Sequence, residues 1–223
     1  MPDLKGLPRP VGTVAQHTLE LLRGAIVAGD LRPGQRIRQD EVAERLGVSI
    51  APVREALATL EQEGQVTYRP RRGYFVTELR VADLDEIYEL RRVLEERAVR
   101  AALPGLDEDA LERLGAAERE CLAAAERGDI ASELGANRRF HFALMESDAQ
   151  IHILRLIRLL WDSTEAYRAL YYSSAQERER AGEAHARIIA AAKAGEADQL
   201  VRELDAHRER ALVVLRGILA PAD

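Results

Sequence analysis

Apolar residues at Val14, Leu19, Leu22 and Ile26 recur at helical spacing, which predicts a helix over residues 11–29. Gly29 and the turn-forming run DLRPGQ end it. A shorter helix is expected over 39–46 (QDEVAERL), stopped by Gly47. Ser49 is placed to cap a third helix running to about Glu63, with Pro52 tolerated in its first turn and Gly64 closing it. The period then changes. QVTYRP and GYFVTEL, rich in β-branched and aromatic residues and separated by PRRG, predict the two strands of a hairpin.

Three helices followed by a two-stranded wing is the order of a winged helix-turn-helix. From about Val81 onward strand signals vanish, and six helices are expected near 82–102, 107–127, 129–146, 149–172, 176–194 and 196–218. Breaks are expected at Pro104-Gly105, Gly128-Asp129, Asp148, Ser173-Ser174 and Gly195, with Asp107 and Asp129 as N-caps. Helix lengths and patterns differ, so no solenoid repeat is visible. The composition shifts near residues 77–82. The expectation is therefore a mostly α chain: a winged helix-turn-helix domain over 1–79 and an all-α helical bundle over 80–223.

Composition narrows the class. The 223 residues suffice for one large domain or two modest ones, and the chain is 47% hydrophobic, 31% charged and only 4% aromatic, as suits a soluble helical protein. One cysteine, Cys121, cannot form an intrachain disulfide, which points to a reducing compartment. MPDLKGLPRP lacks the apolar stretch of a signal peptide, and IHILRLIRLLW (151–161) is too short and too charged to span a bilayer. A cytoplasmic protein without a membrane partner is expected. The net charge of −6 argues against nonspecific coating of nucleic acid. The charge is uneven, however. Residues 1–80 carry 12 Lys and Arg against 10 Asp and Glu, whereas residues 81–223 carry 20 against 28.

The stretch EVAERLGVSIAPVREALATLEQEGQV (41–66) carries the most specific chemistry. LGVS makes a tight turn that sets two short helices at a steep angle, so the second can enter a major groove by its N-terminal end. There Ser49 can donate to a phosphate or base, and Arg54 can reach guanine or a phosphate. Arg69, Arg71, Arg72 and Gly73, at the wing tip, can reach phosphates or an adjacent minor groove. The plainer alternative is an amphipathic helix whose Arg54-Glu55 end is a solvated face; Val53, Leu57 and Leu60 read as core on either account. Together LRPGQRI, VAERLGVSIAPVREALATLEQEGQV and PRRGYFVTEL resemble the N-terminal winged helix of the GntR family of bacterial transcription regulators, over roughly residues 11–79. Two positions depart from that family: Ile50 stands where Arg or Thr is usual, and Asp40 where some relatives place a basic residue. Ile50 offers only an apolar contact such as a thymine methyl.

His141 lies four residues after Asn137, on one helix face, while His185 and His207 flank the turn at Gly195-Glu196 at comparable distances on consecutive helices. Antiparallel packing brings those two to the same height. A helical histidine is otherwise a surface or a satisfied core residue, and His17 and His152 are read so. YELRRVLEERAVRAA (88–102), NRRFHFAL and EAHARIIAAAKAGEADQLVRELDAH resemble the helical ligand-sensing (FCD-type) domain of FadR-like GntR regulators. Six helices rather than seven resembles the VanR-like subgroup.

That resemblance implies a divalent metal (zinc, nickel, manganese or iron) held by Asn137, His141, His185 and His207. Asp is commoner at the first position, so Asn137 ligates without bringing charge. The metal is then expected to be held more weakly and to demand an anionic ligand more strongly. A small organic-acid effector follows, with Arg91 as a second anchor or, alternatively, as an i,i+4 partner of neighbouring acids. The resulting expectation is a homodimer reading a palindromic operator on double-stranded DNA, controlled by that effector. Two alternatives stay open: the same regulator with a metal-free pocket, and a metal-dependent hydrolase, for which no carboxylate is placed as general base. No P-loop, G-x-G-x-x-G or H-E-x-x-H motif is present. Cys121 among alanines reads as core, and Trp161, Tyr167, Tyr171 and Tyr172, along one expected helix, as core or dimer packing rather than a base-stacking platform.

Overall fold

The first helix begins where Thr13 caps it: the hydroxyl accepts from the N–H of Gln16 at 3.2 Å. The computed structural model describes residues 13–147 and 150–219. The chain divides into two compact units, Met1–Thr77 and Glu78–Asp223.

In the first unit α1 (Val14–Val27) is followed by β1 (Arg36–Ile37), α2 (Gln39–Leu46), α3 (Ile50–Gln62), β2 (Val66–Arg69) and β3 (Gly73–Val76). Gly47 ends α2 in the left-handed conformation at φ 64°, the tight turn that lets α3 leave at a new angle. Leu22 and Ile26 of α1 bury against Val53, Leu57 and Leu60 of α3, the last three fully inaccessible. Truncating Leu57 or Leu60 to alanine should cost about 2–5 kcal/mol. Arg23 clasps both carboxylate oxygens of Glu63 at 2.8 and 2.7 Å, tying α1 to the end of α3. The expected hairpin is present, but the sheet has a third strand. β1 pairs antiparallel with β3, Arg36 opposite Phe75, giving the order β1-β3-β2. Two residues are too few to show a period, which is why the sequence reading missed β1.

The second unit holds α4 (Val81–Ala102), a 3-10 turn at Leu103–Gly105, α5 (Glu108–Arg127), α6 (Ile130–Ala143), α7 (Ile151–Ser163), α8 (Glu165–Tyr172), α9 (Ala175–Ala194) and α10 (Ala197–Leu219). Asp107 and Asp129 cap as expected, accepting from the N–H groups of Ala110 and Ser132 at 2.8 and 3.1 Å. Val99, Leu114, Phe140, Leu144, Ile157, Trp161, Ile188 and Leu200 share one core. The single helix expected over 149–172 is two. Thr164, fully buried with φ −108° and ψ 6°, breaks the helix, and its hydroxyl donates back to the carbonyls of Leu160 and Trp161. The unit therefore has seven α-helices among the described residues rather than six, and the count that suggested the VanR-like subgroup does not hold. The break expected at Asp148 lies outside the described residues. Among those residues, no helix is long and apolar enough to cross a membrane.

Candidate functional site

Two surfaces collect the residues singled out by sequence. The first is the exposed end of α3 with the wing. Ser49 stands at the N-cap of α3, yet its hydroxyl makes no capping hydrogen bond, and it is exposed beside Ile50, which is 42% accessible. Arg54, one turn on, is exposed and donates from Nε to Oε1 of Gln39, the first residue of α2, at 3.1 Å. At the wing tip Arg71 adopts φ 64°, a left-handed turn residue, and the N–H of Arg72 closes the turn onto the carbonyl of Arg69 at 2.9 Å. Arg69 and Arg72 lie over the Phe75 ring, 4.4 and 5.7 Å from its centroid. Gly73, with φ 90°, opens β3 opposite Arg69.

The second surface is internal. α6 places Asn137 and His141 one turn apart, α9 contributes His185 and α10 contributes His207. Three helices thus converge on one point, with imidazole centroids 5.4 Å (His141–His185), 5.2 Å (His141–His207) and 5.0 Å (His185–His207) apart. A ligating nitrogen from each lies within 4.8 Å of the other two. Asn137, His141 and His185 are buried and His207 partly so. Burial, then the neighbouring imidazoles, Arg91 and Arg208, hold His141 well below the usual range, and His207 is lowered in the same way. Burial alone takes His185 down to about 3. All three are neutral at pH 7, the state that ligates a metal.

Two buried polar atoms here have no hydrogen-bond partner among the described residues: Oδ1 of Asn137 and Nε2 of His185. Leaving such atoms unpaired costs about 1–3 kcal/mol each, and a cation bonded to both would remove that cost. Behind His185, Nδ1 and Oε2 of Glu118 share a hydrogen bond of 2.5 Å, while the ring stacks on Phe140 at 4.0 Å. Two arrangements fit this contact: with Glu118 ionised the Nδ1 proton points to it and the lone pair stands on Nε2, as a histidine ligand requires, whereas a protonated Glu118 donates to Nδ1. Burial pushes the Glu118 carboxyl up to about 8. Glu118, Cys121 and His185 form a second close group of ligand atoms; burial raises the Cys121 thiol, which fits the expected core role.

A cavity of about 30 Å³ adjoins the cluster, lined by Asn137, His141, His207, Arg91, Arg168 and Trp161, among others. Arg91 lines the cavity, and its Nε donates to Oε1 of Glu95 at 2.8 Å in the buried i,i+4 pair expected as its alternative role. Glu95 also accepts from Trp161 Nε1 and from Arg208 Nη2, each at 2.8 Å. Burial raises the Glu95 carboxyl, but the charges and hydrogen bonds of Arg91 and Arg208 outweigh it and hold the group at about 2. Arg168 was not foreseen. It lies in the apolar stripe of α8 between Tyr167 and Ala169, and an arginine in such a stripe was the available signal. Tyr167, Tyr171, Tyr172 and Trp161 are buried on two helices; His17 and His152 are exposed.

Residues 14–76 match the family of bacterial regulatory proteins called gntR, and residues 86–210 match the FCD domain. The HTH-type transcriptional regulator YdhC of Bacillus subtilis (strain 168) is 32% identical over 75% of this chain and 75% of its own. McbR of Escherichia coli (strain K12), an HTH-type transcriptional regulator, is 33% identical over 63% of each. The solved structure of E. coli McbR/YncC superposes with a TM-score of 0.80 at 26% identity, over 92% of this chain and 98% of that one. A GntR regulator from Rhodococcus sp. RHA1 gives 0.78 at 25%, over 93% and 99%. These relatives are regulators rather than enzymes, which sets the hydrolase reading aside. The chain belongs to the GntR family of bacterial transcription regulators, pairing a DNA-binding GntR domain with an FCD sensor domain.

Proposed function

We propose that the chain is a homodimeric regulator whose affinity for a palindromic operator is set by a small organic acid bound beside a divalent metal. Asn137, His141, His185 and His207 would hold the metal. The observation that carries this reading is the pair of orphaned buried atoms, Asn137 Oδ1 and His185 Nε2, inside a cluster of three neutral imidazoles. Such a donor set suits zinc, nickel, manganese or iron. Bound there, the metal supplies positive charge and open coordination positions for an acid group. Arg91 stands on the cavity wall as an anchor whose geometry Glu95 and Trp161 fix.

At the other end of the chain, Ser49, Ile50 and Arg54 would read base edges, and Arg69, Arg71 and Arg72, with Gly73 at the strand start, would hold backbone phosphates. Exposed Leu90 and Val93, one turn apart on α4, offer an apolar face for the second copy. Selection from a random duplex library should recover a two-fold symmetric sequence, and addition of the metal and a carboxylate should change the affinity for it. Recovery of no sequence preference would overturn the DNA-binding part of the reading. A response indifferent to both additions would overturn the sensing part.

A further inference from the structure

Three guanidinium groups line the sensor cavity, and their partners differ. Arg91 is paired with Glu95. Arg208 is paired with Glu95 at 2.8 Å and with Asp205 at 2.5 Å. Arg168 is 95% buried, and neither its Nε nor its Nη1 has a hydrogen-bond partner among the described residues. The one buried carboxylate on the cavity wall, Glu95, is already saturated by Arg91, Arg208 and Trp161. Arg168 stacks on the Trp161 ring, 4.2 Å from its centroid, and Arg91 lies 4.3 Å from the same ring. Stacking satisfies the face of a guanidinium but leaves Nε and Nη1, donors that a carboxylate can take, unmet among the described residues.

A buried guanidinium with two unmet donors is costly to the protein alone and is explained when a ligand completes them. Burial pulls this one down to about 10, which leaves it charged at neutral pH. The wall therefore carries three positive groups against Glu95, before any metal is counted.

We infer that Arg168 binds a second acid group of the effector, so that the ligand is a small dicarboxylate, one acid at the Asn137–His141–His207 end of the cavity and the other on Arg168. This rests on the metal-and-acid reading above and narrows it. A volume of about 30 Å³ suits an ion with one or two waters. A dicarboxylate therefore enters only as the wall gives way. The element able to yield is α8, a two-turn helix that starts at the break at Thr164 and carries Arg168, Tyr171 and Tyr172.

The test is calorimetric titration of the full-length, zinc-loaded protein with acetate, butyrate, succinate and glutarate, for wild type, Arg168→Met and Arg168→Lys. Wild type should bind one of the dicarboxylates about tenfold or more tighter than butyrate. Arg168→Met should bring that ratio to about one with butyrate affinity and zinc content unchanged, and Arg168→Lys should restore part of it. Because Nε and Nη1 have no hydrogen-bond partner among the described residues, Arg168→Met should also leave the ligand-free Tm level or higher. Equal binding of mono- and dicarboxylates by wild type overturns the inference while leaving the carboxylate reading intact. So does a full preference retained in Arg168→Met, or a ligand-free Tm that falls by several degrees, which would mark Arg168 as structural. If wild type binds none of the four, the carboxylate reading itself fails, and the inference with it.

Discussion

The hydroxyl of Tyr167 accepts a hydrogen bond from the backbone N–H of Leu79 at 2.6 Å, and the next residue along α8 is Arg168. Leu79 precedes α4 at the start of the sensor unit, two residues after the last residue of the DNA-binding unit. One short helix thus lines the cavity with Arg168, Tyr171 and Tyr172 and touches the segment leading to the winged helix with Tyr167. On the proposed reading, a shift of α8 caused by a ligand would reach Leu79 through this hydrogen bond.

Tyr167→Phe is the consequent test of coupling. Loss of the bond should cost about 1 kcal/mol of stability. Metal content and acid affinity should stay at wild-type values, while the change in operator affinity caused by the acid, read by fluorescence anisotropy, should shrink several-fold. A full response in this variant would place the coupling elsewhere.

Glu95 organises the polar wall and makes stability depend on pH. Its carboxyl, held at about 2 by Arg91 and Arg208, titrates near 4.3 in an unfolded chain. The stability it contributes is present in full above the unfolded value and is lost as pH falls toward the folded one. Glu95→Gln should cost about 3–5 kcal/mol at pH 7, because two buried guanidinium groups lose their partner. In urea unfolding, the gap between wild type and variant should narrow steadily from pH 5 toward pH 2. A gap that does not vary with pH would contradict the assignment.

Much of this was legible in the order of residues. Gly47, Asp107, Asp129 and Gly195 punctuate the helices by backbone chemistry that acts locally, and local rules read them correctly. His185 and His207 were legible because one turn at Gly195 aligns them, whereas their grouping with His141 followed from the family resemblance. The break at Thr164 was not, since it involves neither Gly nor Pro and depends on a hydroxyl returning to its own helix. Arg168 was not legible either. Its significance is that Glu95, on a different helix, is spoken for by other arginines, a competition that exists only after folding.

On the DNA-binding unit the two kinds of contact should separate. Arg54→Ala should cost about 1–3 kcal/mol on the preferred operator and relax discrimination at one base pair. Arg71→Ala should instead weaken all sequences alike and reduce the salt slope by about one. Binding isotherms on operator and scrambled duplexes at several salt concentrations distinguish these; identical behaviour of the two variants would refute the division of labour.

Asn137→Asp restores the charge that this ligand position lacks. It should tighten metal binding by about tenfold and weaken the operator response to an acid effector, because a less positive centre attracts the acid less. Competition with a fluorescent chelator reads the first effect and anisotropy the second. Unchanged metal affinity would remove Asn137 from the ligand set.

The most direct test of the central claim is the metal content of the purified protein, measured by plasma mass spectrometry for wild type and for His141→Ala. The Asn137–His141–His185–His207 cluster predicts about one divalent ion per chain in the wild type and a large loss in the variant. Equal, negligible metal in both would contradict it and leave a metal-free pocket in its place.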